Sequence, residues 1–179
     1  MIYNRIDKNM TKKILLVWLL LFSSLMFAQN KKIVEILNKQ LQTEYNKYYD
    51  EFDKAYFKLL EPYKIDDTGI LSFKFSEFPN HYNGKTIVKR SVPLNKILKI
   101  DKDMNLVFFT EGEDVLEQIE VFDENNKLIE ERINKKTIFQ TYINKEKNNE
   151  RLKKSLLKAF KKAGFEVTDR IIVYQNGND

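Results

Sequence analysis

The side chains able to do chemistry are few. The chain has 179 residues, a single histidine (His81) and no cysteine. A catalytic nucleophile needs a base beside it, so a Ser-His-carboxylate set could form only around His81, and no serine stands in a G-x-S-x-G setting. His81 lies in Pro79-Asn80-His81-Tyr82-Asn83-Gly84, a stretch that reads as a loop with a solvated imidazole. Zinc sites draw on several His or Cys ligands, and one imidazole does not supply them. Asp101-Lys102-Asp103-Met104-Asn105 begins like a calcium loop, but Leu106 stands where the bend needs Gly and Gly112 where closure needs Glu. The segment is therefore expected to be a turn between strands.

Carboxylates cluster at Glu111, Glu113 and Asp114 and again at Glu130 and Glu131, a pattern that surface charge explains without catalysis. The five glycines, Gly69, Gly84, Gly112, Gly164 and Gly177, are isolated, so no loop is built to cradle phosphate. No cofactor, metal ligand or catalytic residue is assigned. One cationic cluster remains. Arg151, Lys153, Lys154, Lys158, Lys161 and Lys162 flank the apolar stripe of a C-terminal helix. Of these, Lys153, Lys154, Lys158, Lys161 and Lys162 form the candidate interaction surface, suited to an anionic headgroup or an acidic partner. The competing reading is an ordinary solvated face, with Lys161 and Lys162 near the negative end of the helix dipole.

The elements that must position these groups begin near residue 31. Lys31 to Tyr49 has a helical stripe of Ile33, Leu37, Leu41, Tyr45 and Tyr48, with Ile36 beside it. The stripe either continues through Phe52 and Tyr56 to Leu59 or gives way to a strand over Lys54 to Lys64, where Pro62 suits an edge. The aromatic run Tyr45, Tyr48, Tyr49, Phe52, Tyr56 and Phe57 is expected to pack on the sheet. Asp66-Asp67-Thr68-Gly69 is a turn. Alternation predicts strands over Ile70–Phe78 and Thr86–Leu94. Leu106–Thr110 reads as a buried strand, and Val115–Phe122 and Lys127–Ile133 as a hairpin about Asp123-Glu124-Asn125-Asn126. Thr137–Ile143 is a further strand. Asn149–Ala163 is an amphipathic helix, with Leu152, Leu156, Ala159, Phe160 and Ala163 on one face, Asn148 or Asn149 at its start and Gly164 at its end. A final strand spans Glu166–Tyr174. The expected class is α+β: an N-terminal helix, a mostly antiparallel bent sheet, then the C-terminal amphipathic helix and final strand.

Residues 1–28 carry an export signal by pattern. Arg5, Lys8, Lys12 and Lys13 precede the apolar run Ile14–Phe22, and Ala28 stands before Gln29 as a cleavage position. The alternative is an uncleaved anchor, although Ile14–Ala28 is shorter than a spanning helix requires. Translation could start at Met1 or Met10. The expected domains are thus 1–28, a signal peptide, and 29–179, a single domain. Residues 1–28 hold four basic and one acidic side chain, which leaves 27 basic against 25 acidic residues and a net charge of +2. That is no footprint for nucleic acid. Without cysteine there is no disulfide and no acylated cysteine, so stability rests on an apolar core.

The segment Thr86–Gly112 (TIVKRSVPLNKILKIDKDMNLVFFTEG), a strand, a bend and a strand, together with Ile138–Gly164 (IFQTYINKEKNNERLKKSLLKAFKKAG), a strand running into a closing helix, resembles pleckstrin-homology-like modules. That resemblance implies a strongly bent sheet plugged by a C-terminal helix and implies no particular ligand. The long first helix and the strand after Gly164 depart from it. Taken together, the expectation is an exported, non-enzymatic binding module, periplasmic or secreted, whose partner is a protein or envelope component. Membrane contact is expected only through an uncleaved signal segment. The rival expectations are a small secreted hydrolase using carboxylates or His81, and an envelope-tethered structural protein.

Overall fold

The structure is a computed structural model that describes residues 30–50, 54, 56–78, 84–102, 105–146 and 149–169. The signal segment, Phe52, the loop holding His81, Asp103, Asn148 and the final strand beyond residue 169 lie outside the described residues. Within them the class is α+β, with two helices and eight strands in antiparallel sheets. Helix α1 covers 30–48. The strands are β1 (Phe57–Ile65), β2 (Ile70–Glu77), β3 (Lys85–Pro93), β4 (Ile97–Lys102), β5 (Leu106–Thr110), β6 (Val115–Phe122), β7 (Leu128–Lys136) and β8 (Ile138–Gln140). Helix α2 is Glu150–Lys162.

The strands divide into two sheets where the sequence suggests one. Five strands run in the order β1-β2-β3-β6-β7 and three in the order β4-β5-β8. Strand β3 pairs with β6, so the β4–β5 hairpin leaves the larger sheet and the chain then returns to it. The turn at Pro93 is a single 3-10 turn, Leu94–Lys96, with Leu94 buried. The uncertain stretch after α1 resolves as strand: β1 holds Pro62 on the edge of the larger sheet. The expected strand over Thr137–Ile143 is only β8, because Tyr142 takes a positive φ of 57° and turns the chain away. Thr168 pairs in parallel with Lys99, the described start of the expected final strand.

The turns form as their residues dictate. Asp66 accepts from Thr68 N, Thr68 Oγ1 and Ile70 N at 2.7–3.0 Å, and Gly69 supplies φ +81°. Those hydrogen bonds, Ile70 N first, hold the Asp66 carboxyl below its ordinary range. Asp123 likewise accepts from Asn125 N and Lys127 N, with Asn126 at φ 60°.

Helix α2 follows its sequence closely. Asn149 caps it by accepting from Leu152 N at 3.0 Å. It ends in a Schellman motif: Phe165 N donates to Phe160 O, Gly164 N donates to Lys161 O, and the Phe160 and Phe165 rings meet at 6.2 Å. Gly164 has φ +84° and open space where a Cβ would go. Gly164→Ala therefore acts through the backbone alone and is expected to cost about 1 kcal/mol, read as a lower urea midpoint with an unchanged slope.

The core is a chain of aromatic rings joining both helices to both sheets. Tyr49 on the α1 side meets Phe57 at 6.0 Å, and Phe57 meets Phe75 at 5.5 Å. Phe75 stacks on Phe73 at 5.2 Å. Phe73 crosses to Phe139 of the smaller sheet at 5.7 Å, which stacks on Phe108, and Phe108 meets Phe160 of α2 at 5.8 Å. Of the expected aromatic run, Tyr49 and Phe57 pack inward, Tyr45 and Tyr56 are half-buried, and Phe52 lies outside the described residues. The apolar stripe of α1 is corrected at its end: Ile33, Leu37 and Leu41 are buried, but Tyr48 is exposed and Tyr49 takes the inner position. Glu44 is also fully buried on that face.

Candidate functional site

Two of the clefts among the described residues bring together charged side chains from separate elements. The first lies between the sheets at Arg90, with a volume of ≈ 400 Å³, and is lined by Arg90, Glu117, Lys136, Thr137, Ile138 and Gln140. Arg90 sits on the inner face of β3 between Val88 and Val92 and is buried with them. Its guanidinium donates to Glu117 at 2.8 Å and to the Gln140 carbonyl at 2.6 Å, and lies 5.5 Å from the rings of Phe75 and Tyr142. Its donors are thus engaged in joining β3 to β6 and to β8. This cleft is a structural junction.

Two phenols belong to the same junction. Tyr63 donates to the Thr141 carbonyl and Tyr142 to the Glu77 carboxylate. Burial first, and for Tyr142 also its bond to Glu77, holds both phenols protonated well above the ordinary value of 10.0. A raised folded pKa gives stability that is full below the unfolded pKa and is lost as pH climbs beyond it. In an alkaline absorbance titration Tyr63 and Tyr142 are expected to ionise only as the protein unfolds, above pH about 10.

The second cleft is a groove of ≈ 520 Å³ between α1 and α2. Its floor is apolar, from Ile36 and the buried Leu152. Lys32, Lys39 and Arg151 supply positive charge along it, with Thr43 and Ser155 adding hydroxyls. Two carboxylates also line it, and both are engaged. Glu35 is held by Lys32 at 2.8 Å. Glu146 accepts from Gln40 at 3.1 Å and from Asn149 at 2.8 Å. Three cations, Lys32, Lys39 and Arg151, thus stand against two carboxylates in the lining, and Lys39 and Arg151 are exposed.

Two buried charges, Glu44 and Lys102, anchor the segment that carries Glu146 into this groove. Glu44 accepts from Lys145 N at 2.7 Å, from Glu146 N at 3.4 Å and from Gln40 at 3.1 Å. Lys102, also buried, donates to the Glu146 carbonyl. One side chain of α1 and one of β4 thus hold the segment that leads into α2.

The five lysines proposed from sequence separate on the helix. Lys154, Lys158, Lys161 and Lys162 are exposed on one arc, and Arg151 falls in the same arc at 3.6 residues per turn. Lys153 does not. It is half-buried, donates to Glu150 at 2.8 Å and lies 3.9 Å from Asp169, and the Glu150 bond raises its pKa. The cationic surface is therefore Arg151, Lys154, Lys158, Lys161 and Lys162, and it runs out of the groove along α2.

The carboxylate clusters stay dispersed. Asp114 lies 3.9 Å from Lys96, Glu111 and Glu113 are exposed, and Glu130 pairs with Arg132 at 2.9 Å. Among the described residues no group of three or more His, Asp or Glu side chains converges as a metal site. No described helix is long and apolar enough to cross a membrane. Comparison with protein families, with curated proteins and with solved structures gives no match to this chain.

Proposed function

We propose that the protein is an exported, non-enzymatic interaction module that holds an anionic segment of an envelope or extracellular protein in the groove between α1 and α2. The observation that carries this reading is the pairing of an apolar floor, Ile36 and Leu152, with the cations Lys39 and Arg151 while Glu35 and Glu146 are engaged by their neighbours. Exposed charge alone gives little affinity, and the floor adds the apolar burial that a specific contact needs. The buried and half-buried carboxylates Glu44, Glu117 and Glu77 have structural partners: Glu44 holds backbone amides, Glu117 holds Arg90 and Glu77 accepts from Tyr142. Export is part of the same proposal. It rests on the pattern of residues 1–28, with basic side chains before the apolar run Ile14–Phe22 and Ala28 ahead of Gln29.

The test is titration of the protein with a Glu/Asp-rich peptide, followed by amide chemical shifts. Shifts confined to Lys39, Thr43, Arg151 and Ser155, weakened by salt and lost in Lys39→Glu/Arg151→Glu, are expected. Shifts spread evenly over all surface lysines would overturn the reading.

A further inference from the structure

The two edges of the five-stranded sheet are treated differently by the chain. Edge strand β1 is closed to further pairing. It contains Pro62, which has no N–H, and the Asn38 side chain of α1 donates to Tyr63 O at 2.9 Å and accepts from Tyr63 N at 2.8 Å. Its register with β2 is also broken twice. The opposite edge, β7, has none of this from Glu130 onward. It pairs with β6 in unbroken register over Glu130–Lys136 and carries no proline. Among the described residues nothing pairs with its outer side. Nearly all of β7 is exposed, and Ile133 is 64% exposed. A long, open strand with apolar side chains is a pairing surface unless charge forbids it.

The charges of β7 do not forbid pairing; they specify it. The strand reads Glu130, Glu131, Arg132, Ile133, Asn134, Lys135, Lys136, acidic at one end and basic at the other. In an antiparallel pair, a residue with its N–H and C=O toward the partner faces another of the same kind. About a two-fold axis the pairing is therefore centred on a residue. Centring on Glu130, Glu131, Arg132, Lys135 or Lys136 sets that charge against itself. Centring on Asn134 sets Arg132 against Lys136. Of the seven positions Glu130–Lys136 that keep unbroken register, only Ile133 at the centre avoids a like-charge pair: Glu131 then faces Lys135, Glu130 faces Lys136 and Arg132 faces Asn134. Opposite charges directly across antiparallel strands stabilise the pair, and like charges oppose it.

We infer that β7 is a self-association edge, joining a second copy of this chain in antiparallel register about Ile133 so that the two five-stranded sheets become continuous. Each Ile133 side chain is covered by its symmetry mate, flanked on the same face by Glu131–Lys135 pairs. The α1–α2 groove is not part of this edge, so a dimer presents two grooves.

The test is sedimentation of the exported protein over a range of concentrations, with charge exchange. The wild-type chain is expected to pass from monomer to dimer as concentration rises. Glu131→Lys places two lysines across each pair and is expected to hold the protein monomeric. Glu131→Lys/Lys135→Glu restores opposite charges in this register alone and is expected to restore the dimer. Thermal melts of each variant check folding, which should persist because β7 side chains face solvent. Ile133→Cys, in a chain without cysteine, is expected to give a disulfide-linked dimer on mild oxidation, whereas Lys135→Cys is not. A monomer at all concentrations, a dimer indifferent to Glu131→Lys, failure of the double exchange to restore pairing, or a different protein occupying β7 would each overturn the inference.

Discussion

Arg90→Ala is expected to lower the unfolding free energy by about 3–5 kcal/mol, because it leaves the Glu117 carboxylate in a largely buried site without its partner. The Arg90 and Glu117 side chains are only 6% and 13% exposed and meet at 2.6 Å. The same change removes the donor to the Gln140 carbonyl and the cation beside Phe73, Phe75 and Tyr142. The control is the pair Arg90→Met/Glu117→Leu. Breaking one half of such a pair costs more than replacing both halves with apolar groups of similar size, so the double variant is expected to recover much of the loss. Urea unfolding of the wild type and the two variants measures this. A single-variant loss below about 1 kcal/mol would place the pair among weak surface bridges and contradict the role of Arg90 at the junction of the two sheets.

Glu44→Ala is the second large effect. The carboxylate is fully buried and receives two backbone amides from the segment before α2, together with the Gln40 amide. Removing it leaves donors without an acceptor, an expected loss of about 2–3 kcal/mol. The loss should be local in its first sign: the amides of Lys145 and Glu146 should exchange with solvent faster than those of β2 or β3. Glu44→Gln keeps an acceptor oxygen in place and is expected to lose less. If exchange rises uniformly through the molecule instead, Glu44 supports the whole fold and not the groove in particular.

Local sequence carries much of this fold. Helix α2 is legible because its stripe, its Asn149 cap and its Gly164 stop agree, and the predicted inner residues Leu152, Leu156, Ala159, Phe160 and Ala163 are the buried ones. The Asp66 and Asp123 turns are legible for the same reason, since each is made by side chains bonding within a few residues. Strand β4 escapes notice because its pairing with β5 shifts between Ile97 and Lys99. The shift turns both Ile97 and Ile100 inward, three residues apart, which breaks the two-residue alternation of a strand. The division into two sheets depends on β3 meeting β6 across the β4–β5 excursion, a choice that no short window contains.

The site is less legible than the fold. Glu44, Arg90 and Lys102 are charged residues that sequence reasoning assigns to the surface. They are buried because their partners arrive from far along the chain: Lys145 for Glu44, Glu117 and Gln140 for Arg90, Glu146 for Lys102. The cationic face of α2 is visible as a composition. Its membership is not, because only the packed structure shows Lys153 turned toward Asp169 and Arg151 opening onto the groove of α1.

The most direct measurement is site-specific photo-crosslinking in the native host. A photoreactive residue would replace Thr43 or Ser155 on the groove, or Asn125 at the β6–β7 turn as a control, and the mass of the chain itself would be read from the same sample. The account predicts a chain beginning at Gln29, joined to one acidic partner from both groove positions. That adduct should be absent from Asn125 and lost in Lys39→Glu/Arg151→Glu. Adducts equally strong from Asn125, or groove adducts that survive the charge reversal, would contradict it.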